Sequence, residues 1–462
     1  MTENKIWSGR FKEKNDMLFE KMNRSLPFDI RLYKEDINLN KTYSKELNRI
    51  GLITDDELDA IHNGLNKIEL EIKNKGMSLF ANSNVEDIHM AIEELLTDFI
   101  GVSAKKIHAG KSRNDQVATD IRLYMLKEID IIIDLLKDLL TSIVELAADN
   151  FDLMMPGFTH LRQAQPVLFS HYIMSFFFAF ERDISRLKDL IKRVSIMPLG
   201  SGAISGSAYP LNRSSLQKGL GFDHISQNSI DGVTARDFIA EFLSDISILS
   251  LNLSRLAEDF IIYSSEKFNF FELSDKVTTG SSIMPNKKNP DSLELTRAKT
   301  GRIIGNFVAV CTVLKGLPTS YNKDLQEDKE PLFDTIDTIK EVIDVTTIML
   351  NSIEINEKIM KKAIDSYSFA TELADYLTIN GIPFREAHEI VSVIVRESLD
   401  NSVKLTTLSE SILCNYHERF KGIGDDWGTT EKLFEKRDLI GGTGKNSVQN
   451  QIEYARKILK EL

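Results

Sequence analysis

Cysteine is nearly absent: the 462 residues contain two, Cys311 and Cys414, each inside an apolar helical pattern. That number excludes a disulfide framework and an all-thiolate metal site, and a reducing, cytoplasmic setting is expected. Long hydrophobic runs are missing as well. The most apolar stretches, such as residues 172–180, are far shorter than the roughly 20 residues a membrane span needs, and residues 1–10 hold no apolar signal core. The chain is therefore expected to be neither exported nor embedded. Positive charge is in the minority, 57 Lys and Arg against 69 Asp and Glu, for a net −12. Such a surface repels phosphate backbones on average, which excludes a general nucleic-acid binder and still allows a local cationic pocket. With 42% hydrophobic and 27% charged residues, disordered and collagen-like chains are excluded too.

Helix-breaking residues are missing from long windows. No proline lies between Pro27 and Pro156, no glycine between Gly110 and Gly157, and neither between Gly232 and Gly280. Long helices are the natural reading. Residues 111–155 have the length for a helix of roughly 65 Å and residues 233–267 for one of roughly 50 Å, at about 1.5 Å per residue. Their apolar residues, among them Ile121, Ile129, Ile132, Leu136, Leu140 and Ile143, occupy most of the circumference, so several neighbours must cover such a helix. Strand-like alternation is scarce, and the chain is read as all-α. Three regions follow: residues 1–111 with shorter helices, a long-helix centre over 112–363, and a small helical part over 364–462.

Several familiar motifs are ruled out. Ala109-Gly110-Lys111-Ser112 ends like a P-loop, but position 105 is Lys where the first glycine belongs. Gly200-Ser201-Gly202-Ala203-Ile204-Ser205-Gly206 misses the dinucleotide spacing by one residue and reads as a connection between helices. None of the eight histidines forms a metal-binding pattern.

Polar and basic residues gather where the long helices stop, and loops on a rigid scaffold are where chemistry sits. Gly110-Lys111-Ser112-Arg113-Asn114-Asp115-Gln116 opens the first long helix, whose positive end attracts anions, and Arg113 with Asn114 suits a carboxylate. Residues 156–166, read as a loop between long helices, centre on Thr159-His160, and histidine carries protons near neutral pH. The third segment, residues 278–290, is read as a mobile loop able to close over a ligand; Asn289 as N-cap, Pro290 at the first helical position and Asp291 in the first turn predict a helix beyond it.

The run Gly280-Ser281-Ser282-Ile283-Met284-Pro285-Asn286-Lys287-Lys288-Asn289-Pro290 resembles the signature loop of the fumarase/aspartase superfamily. Within it, residues 111–120, 289–295 and 381–389 resemble the argininosuccinate lyase family, and the likeness runs from Trp7-Ser8-Gly9-Arg10-Phe11 to Gly441-Gly442-Thr443. Arg162-Gln163 reverses the order usual after Thr-His-Leu, and within residues 231–237 Gly232 and Ala235 stand where family members often carry Ala and Asp.

The resemblance implies a homotetramer whose long helices form a central 20-helix bundle, with active sites built from loops of three subunits. It implies reversible elimination of argininosuccinate to arginine and fumarate, the last step of arginine biosynthesis, with no cofactor or metal. Removing a proton beside a carboxylate creates a doubly negative aci-carboxylate, which needs cations and donors already aimed at it; Lys287 and Asn289 fit that role. Ser281 as base needs Lys287, backbone N–H groups and a helix end to stabilise its alkoxide. His160, polarised by Glu294, is the group to protonate the departing guanidine; which of His160 and Ser281 takes the carbon proton is left open. By resemblance, Ser25, Arg113, Asn114, Thr159, Tyr321, Gln326 and Lys329 hold the substrate, with Arg236 a further candidate. Adenylosuccinate lyase, aspartase and a non-catalytic structural protein are the competing readings.

Overall fold

A computed structural model describes Glu13, residues 15–81 and residues 83–462; the matching residues 7–11 lie outside them. Helices dominate, and the helices used below are α1 (Tyr33–Arg49), α2 (Asp55–Lys75), α3 (Ile88–Ile100), α4 (Arg113–Asp149), α5 (Phe169–Val194), α6 (Asp237–Ser264), α7 (Asp291–Leu314) and α8 (Lys329–Leu350). Local chemistry sets their ends. Thr54 and Glu57 form a reciprocal capping box at the start of α2, and Gly76, with φ 52°, ends it. The described residues hold four two-stranded sheets, of which two matter here: β1 (Met154–Thr159) with β2 (Arg162–Leu168), and β3 (Thr279–Gly280) with β4 (Lys288–Asn289), both antiparallel.

Two compact units emerge, each assembled from three stretches. The first comprises residues 1–132, 186–246 and 303–337, and the second residues 133–185, 247–302 and 338–462. The division falls inside α4, α5, α6, α7 and α8. Ile121, Ile129, Ile132, Leu136, Leu140 and Ile143 of α4 are fully buried, while Leu126, Ile131 and Leu135 remain half-buried. Leu251, Leu295, Val308 and Ile348, also on long helices, stay exposed.

The structure corrects the sequence reading in three places. The second long helix begins at Asp237 rather than 233, because a separate short helix, Ser229–Thr234, precedes it and Arg236 turns inward to a buried carboxylate; no glycine or proline marks that break. Residues 156–166 are a hairpin, not a loop. The cap before α7 is one residue later than expected: Pro290 O accepts the N–H groups of Leu293 and Glu294, and Asn289 is instead paired with Thr279.

Candidate active site

In the first unit, Arg113 opens α4 and forms an ion pair with Asp87, the residue whose side chain caps α3 by accepting the Met90 N–H at 2.7 Å. Burial alone would raise the Asp87 carboxyl, but the charges of Arg113 and His89 outweigh it and hold it below its usual range. Ser25 Oγ donates to Asp29 Oδ2 at 2.5 Å, and Asp29 Oδ1 accepts the Ile88 N–H at 3.1 Å. Burial, then the charge of Asp87, pushes the Asp29 carboxyl up to about 6.

Lys329, buried, places Nζ 3.2 Å from Asp328 Oδ1, while the fully buried Arg236 sets Nε 2.7 Å from Asp328 Oδ2. The Tyr321 phenol lies in the field of Arg236, Asp328 and Asp87, and burial pushes it up to about 12. Gln326 Nε2 donates to Asn23 O at 3.4 Å. Ser25, Arg113, Tyr321 and Lys329 are thus gathered round the carboxylates Asp29, Asp87 and Asp328, which sequence reasoning missed. Asp87 carried a readable signal, an acid just ahead of an apolar helix; Asp29 and Asp328 carried none.

Arg113 Nε and Arg236 Nη2 are buried and have no hydrogen-bond partner. Buried guanidinium donors are ordinarily satisfied, and Arg24 Nε and Arg122 Nε share this state. Asn114 Nδ2 reaches Ala203 O at 3.5 Å. Asp115, fully buried, accepts the N–H groups of Ser112, Gly202 and Gly200 at 2.8, 2.8 and 3.0 Å and so fastens the 200–206 segment to the Arg113 turn.

In the second unit, Thr159 and Arg162 close the β1–β2 hairpin, and His160 and Leu161 form its two-residue tip with φ of 55° and 57°. Two left-handed residues in succession are the signature of the turn that matches strand twist, normally supplied by Asn-Gly. Holding His-Leu there costs roughly 1–2 kcal/mol per residue, and strain of this kind clusters at functional sites. The tip leaves the His160 side chain exposed. Gln163 ties the hairpin down, donating to Ala363 O at 2.8 Å and accepting the Asp365 N–H. Thr443 Oγ1 accepts the Leu168 N–H at 2.9 Å, which gives the Gly441-Gly442-Thr443 motif a structural task.

The β3–β4 pair carries the other reactive candidates at its tip. Ser281 Oγ accepts the N–H groups of Met284 at 3.1 Å and Ile283 at 3.3 Å. Two amides aimed at one hydroxyl oxygen favour negative charge on it. Lys288 anchors the hairpin to Glu272 and Asp275, 2.9 Å from each, whereas Lys287 is exposed with no such anchor in the described residues. Glu294 is exposed in the first turn of α7. Among the described residues no hydrogen bond or ion pair joins His160 to Ser281, Lys287 or Glu294.

Comparison with known proteins decides what the motifs belong to. A family model described as Lyase matches residues 9–305, and one described as argininosuccinate lyase C-terminal matches residues 367–429. The argininosuccinate lyase of Trichlorobacter lovleyi is 43% identical over 458 residues, spanning 99% of this chain and 100% of its own. The chain belongs to the argininosuccinate lyase family. The argininosuccinate lyase of Pelobacter propionicus agrees, at 44% identity with the same coverage. A crystal structure of EDDS lyase in complex with formate superposes with a TM-score of 0.82 at 28% identity, covering 94% of this chain and 87% of that one. The all-α fold is accordingly that of the fumarase/aspartase superfamily, and the protein is a lyase.

Proposed function

We propose that the chain cleaves argininosuccinate reversibly to L-arginine and fumarate, the last step of arginine biosynthesis. The observation carrying this reading is the end-to-end match to argininosuccinate lyases at 43% identity. Donors on Arg113, Asn114 and Lys329, with the hydroxyls of Ser25, Thr159 and Tyr321 and the amide of Gln326, orient the carboxylates of the substrate. A base takes the proton from the carbon beside a succinyl carboxylate. The electron pair of that C–H bond moves into the carboxylate to give an aci-carboxylate, and Lys287 and Asn289 stabilise the added charge.

Collapse of this intermediate forms the fumarate double bond as the C–N bond breaks. The guanidine nitrogen keeps the C–N electron pair and receives a proton from a general acid, a step worth about 100- to 10,000-fold. Ser281, with two amides on its oxygen, and His160, oriented with help from Glu294, divide these proton transfers. His160 and Ser281 stand unconnected within one chain, and the long helices expose Leu251, Leu295, Val308 and Ile348. Both features support a homotetramer in which a 20-helix core is shared and each site draws on several copies. The segment up to residue 111, the long-helix region to 363 and the C-terminal remainder serve as its three domains. No described helix is long and apolar enough to cross a membrane, in keeping with work in the cytoplasm.

Purified protein given argininosuccinate is expected to release fumarate, followed by its ultraviolet absorbance. Ser281→Ala is expected to lower turnover by orders of magnitude with the helical content unchanged. Fumarate release from adenylosuccinate or aspartate, and none from argininosuccinate, would overturn the reading.

A further inference from the structure

Beside the Arg113 turn lies a fully buried trio that the proposed reaction does not use: Asp36 on α1, His89 on α3 and Asp120 on α4. His89 Nδ1 is 2.8 Å from Asp36 Oδ1 and 3.3 Å from Asp120 Oδ2. The two carboxylates are supplied very differently. Asp36 also accepts Asn40 Nδ2 at 2.8 Å and the side-chain amide of Gln116. Asp120 is left with the same Nδ1 at the longer 3.3 Å, the imidazole standing closer to Asp36. An ionised carboxylate so placed is costly, whereas a protonated one is uncharged and brings its own donor.

We infer that Asp36, His89 and Asp120 form a proton-sharing staple, with Asp36 the ionised and Asp120 the neutral carboxyl, and that this staple positions Arg113 for substrate. Two links run from it to Arg113. Gln116, bonded to Asp36, sits one turn along α4 from Arg113, and His89 sits two residues beyond Asp87, the ion-pair partner of Arg113. The electrostatics run the same way. Burial would raise Asp36 and lower His89, but their attraction reverses both; burial and the charge of Asp36 together drive Asp120 far above its usual range. The other charged groups facing the trio are Asp29, Asp87 and the buried Lys111, and behind these stand Glu93 and Arg113. Two carboxylates and an imidazole also make up the donor set of a divalent cation. Here Nδ1 lies 2.8 Å from Asp36 Oδ1, and the charge of the buried Lys111 acts on both carboxylates, which favours a proton over a metal between them.

The test has two arms, of which the kinetic one rests on the proposed argininosuccinate cleavage. Asp120→Asn copies a neutral carboxyl, donor included, and is expected to keep kcat and KM within about threefold. Asp36→Asn removes the anion and is expected to raise KM on the order of 100-fold, the scale of a small misplacement in a site, with a smaller change in kcat. The infrared arm needs no substrate: the wild type minus Asp120→Asn difference spectrum is expected to show a carboxylic-acid C=O band. It remains decisive if Asp36→Asn fails to fold, and it separates failure of the staple from failure of the reaction. Absence of that band, or an Asp120→Asn enzyme as impaired as Asp36→Asn, would overturn the inference.

Discussion

Gly157→Ala addresses the hairpin that presents His160. Pairing along β1–β2 shifts register between Pro156 and Phe158, where Gly157, two positions before Thr159, stands opposite the two bulged residues Ala164 and Gln165. A Cβ there would lie 2.4 Å from the Gln165 carbonyl oxygen, backbone of the opposing strand. Side-chain carbons do not approach closer than 3.0 Å, and backbone cannot swing aside as a flexible side chain can. The strands must therefore part by at least about half an ångström, an overpacking strain of about 1–3 kcal/mol. The displacement falls next to the His160–Leu161 tip, whose left-handed pair depends on the strands on either side. Misplacement on the ångström scale costs on the order of 100-fold in rate, so turnover is expected to fall 10- to 100-fold. Fumarate release and a thermal melt of the same sample separate loss of position from loss of fold. A Gly157→Ala enzyme with turnover within about twofold of wild type would refute the idea that this bulge sets the hairpin.

Asp29→Asn tests a buried acid. Its folded pKa of about 6 lies above the ordinary 3.8, so the native state holds the proton more tightly, and stability falls as pH rises from about 4 to about 6. Above that window the cost is on the order of 3 kcal/mol. The asparagine variant is expected to melt higher than wild type at pH 8 and to lose this slope, read from melting temperatures across the range. Asp328→Asn strands the fully buried Arg236 and is expected to cost about 3–5 kcal/mol in urea unfolding. The double variant Arg236→Met, Asp328→Leu should recover only part of it, since the apolar pair removes the stranded guanidinium but leaves the buried Lys329 ammonium without Asp328.

The helical class and the long helices were legible because proline and glycine are excluded from those windows and because α4 is apolar nearly all round. The start of α6 was not legible, since it is set by Arg236 reaching Asp328, a contact across 92 positions. The hairpin at 154–168 was hidden for a related reason: its turn is His-Leu in a conformation that sequence assigns to Asn-Gly, and strand pairing overrides that preference. The segments holding Arg113, His160 and Ser281 stood out because they sit where long helices stop, whereas Ser25, Tyr321, Gln326 and Lys329 came from the family resemblance alone. The acids that hold them, Asp29, Asp87 and Asp328, are single buried residues whose partners lie elsewhere in the chain, a relation periodicity does not record. Asp36 and Asp120 look like ordinary helix-face acids in sequence and differ only in the donors the fold brings to each.

The central claim is that groups from different copies converge on one succinyl moiety, and mixing inactive variants tests it most directly. His160→Asn and Arg113→Ala proteins, each inactive with argininosuccinate, are dissociated together and reassembled, with hybrid particles counted by native mass spectrometry. Fumarate release is predicted to return in the mixture in proportion to the hybrids, because some sites then combine an intact His160 from one copy with an intact Arg113 from another. Hybrids that form and release no more fumarate than either parent would contradict the account.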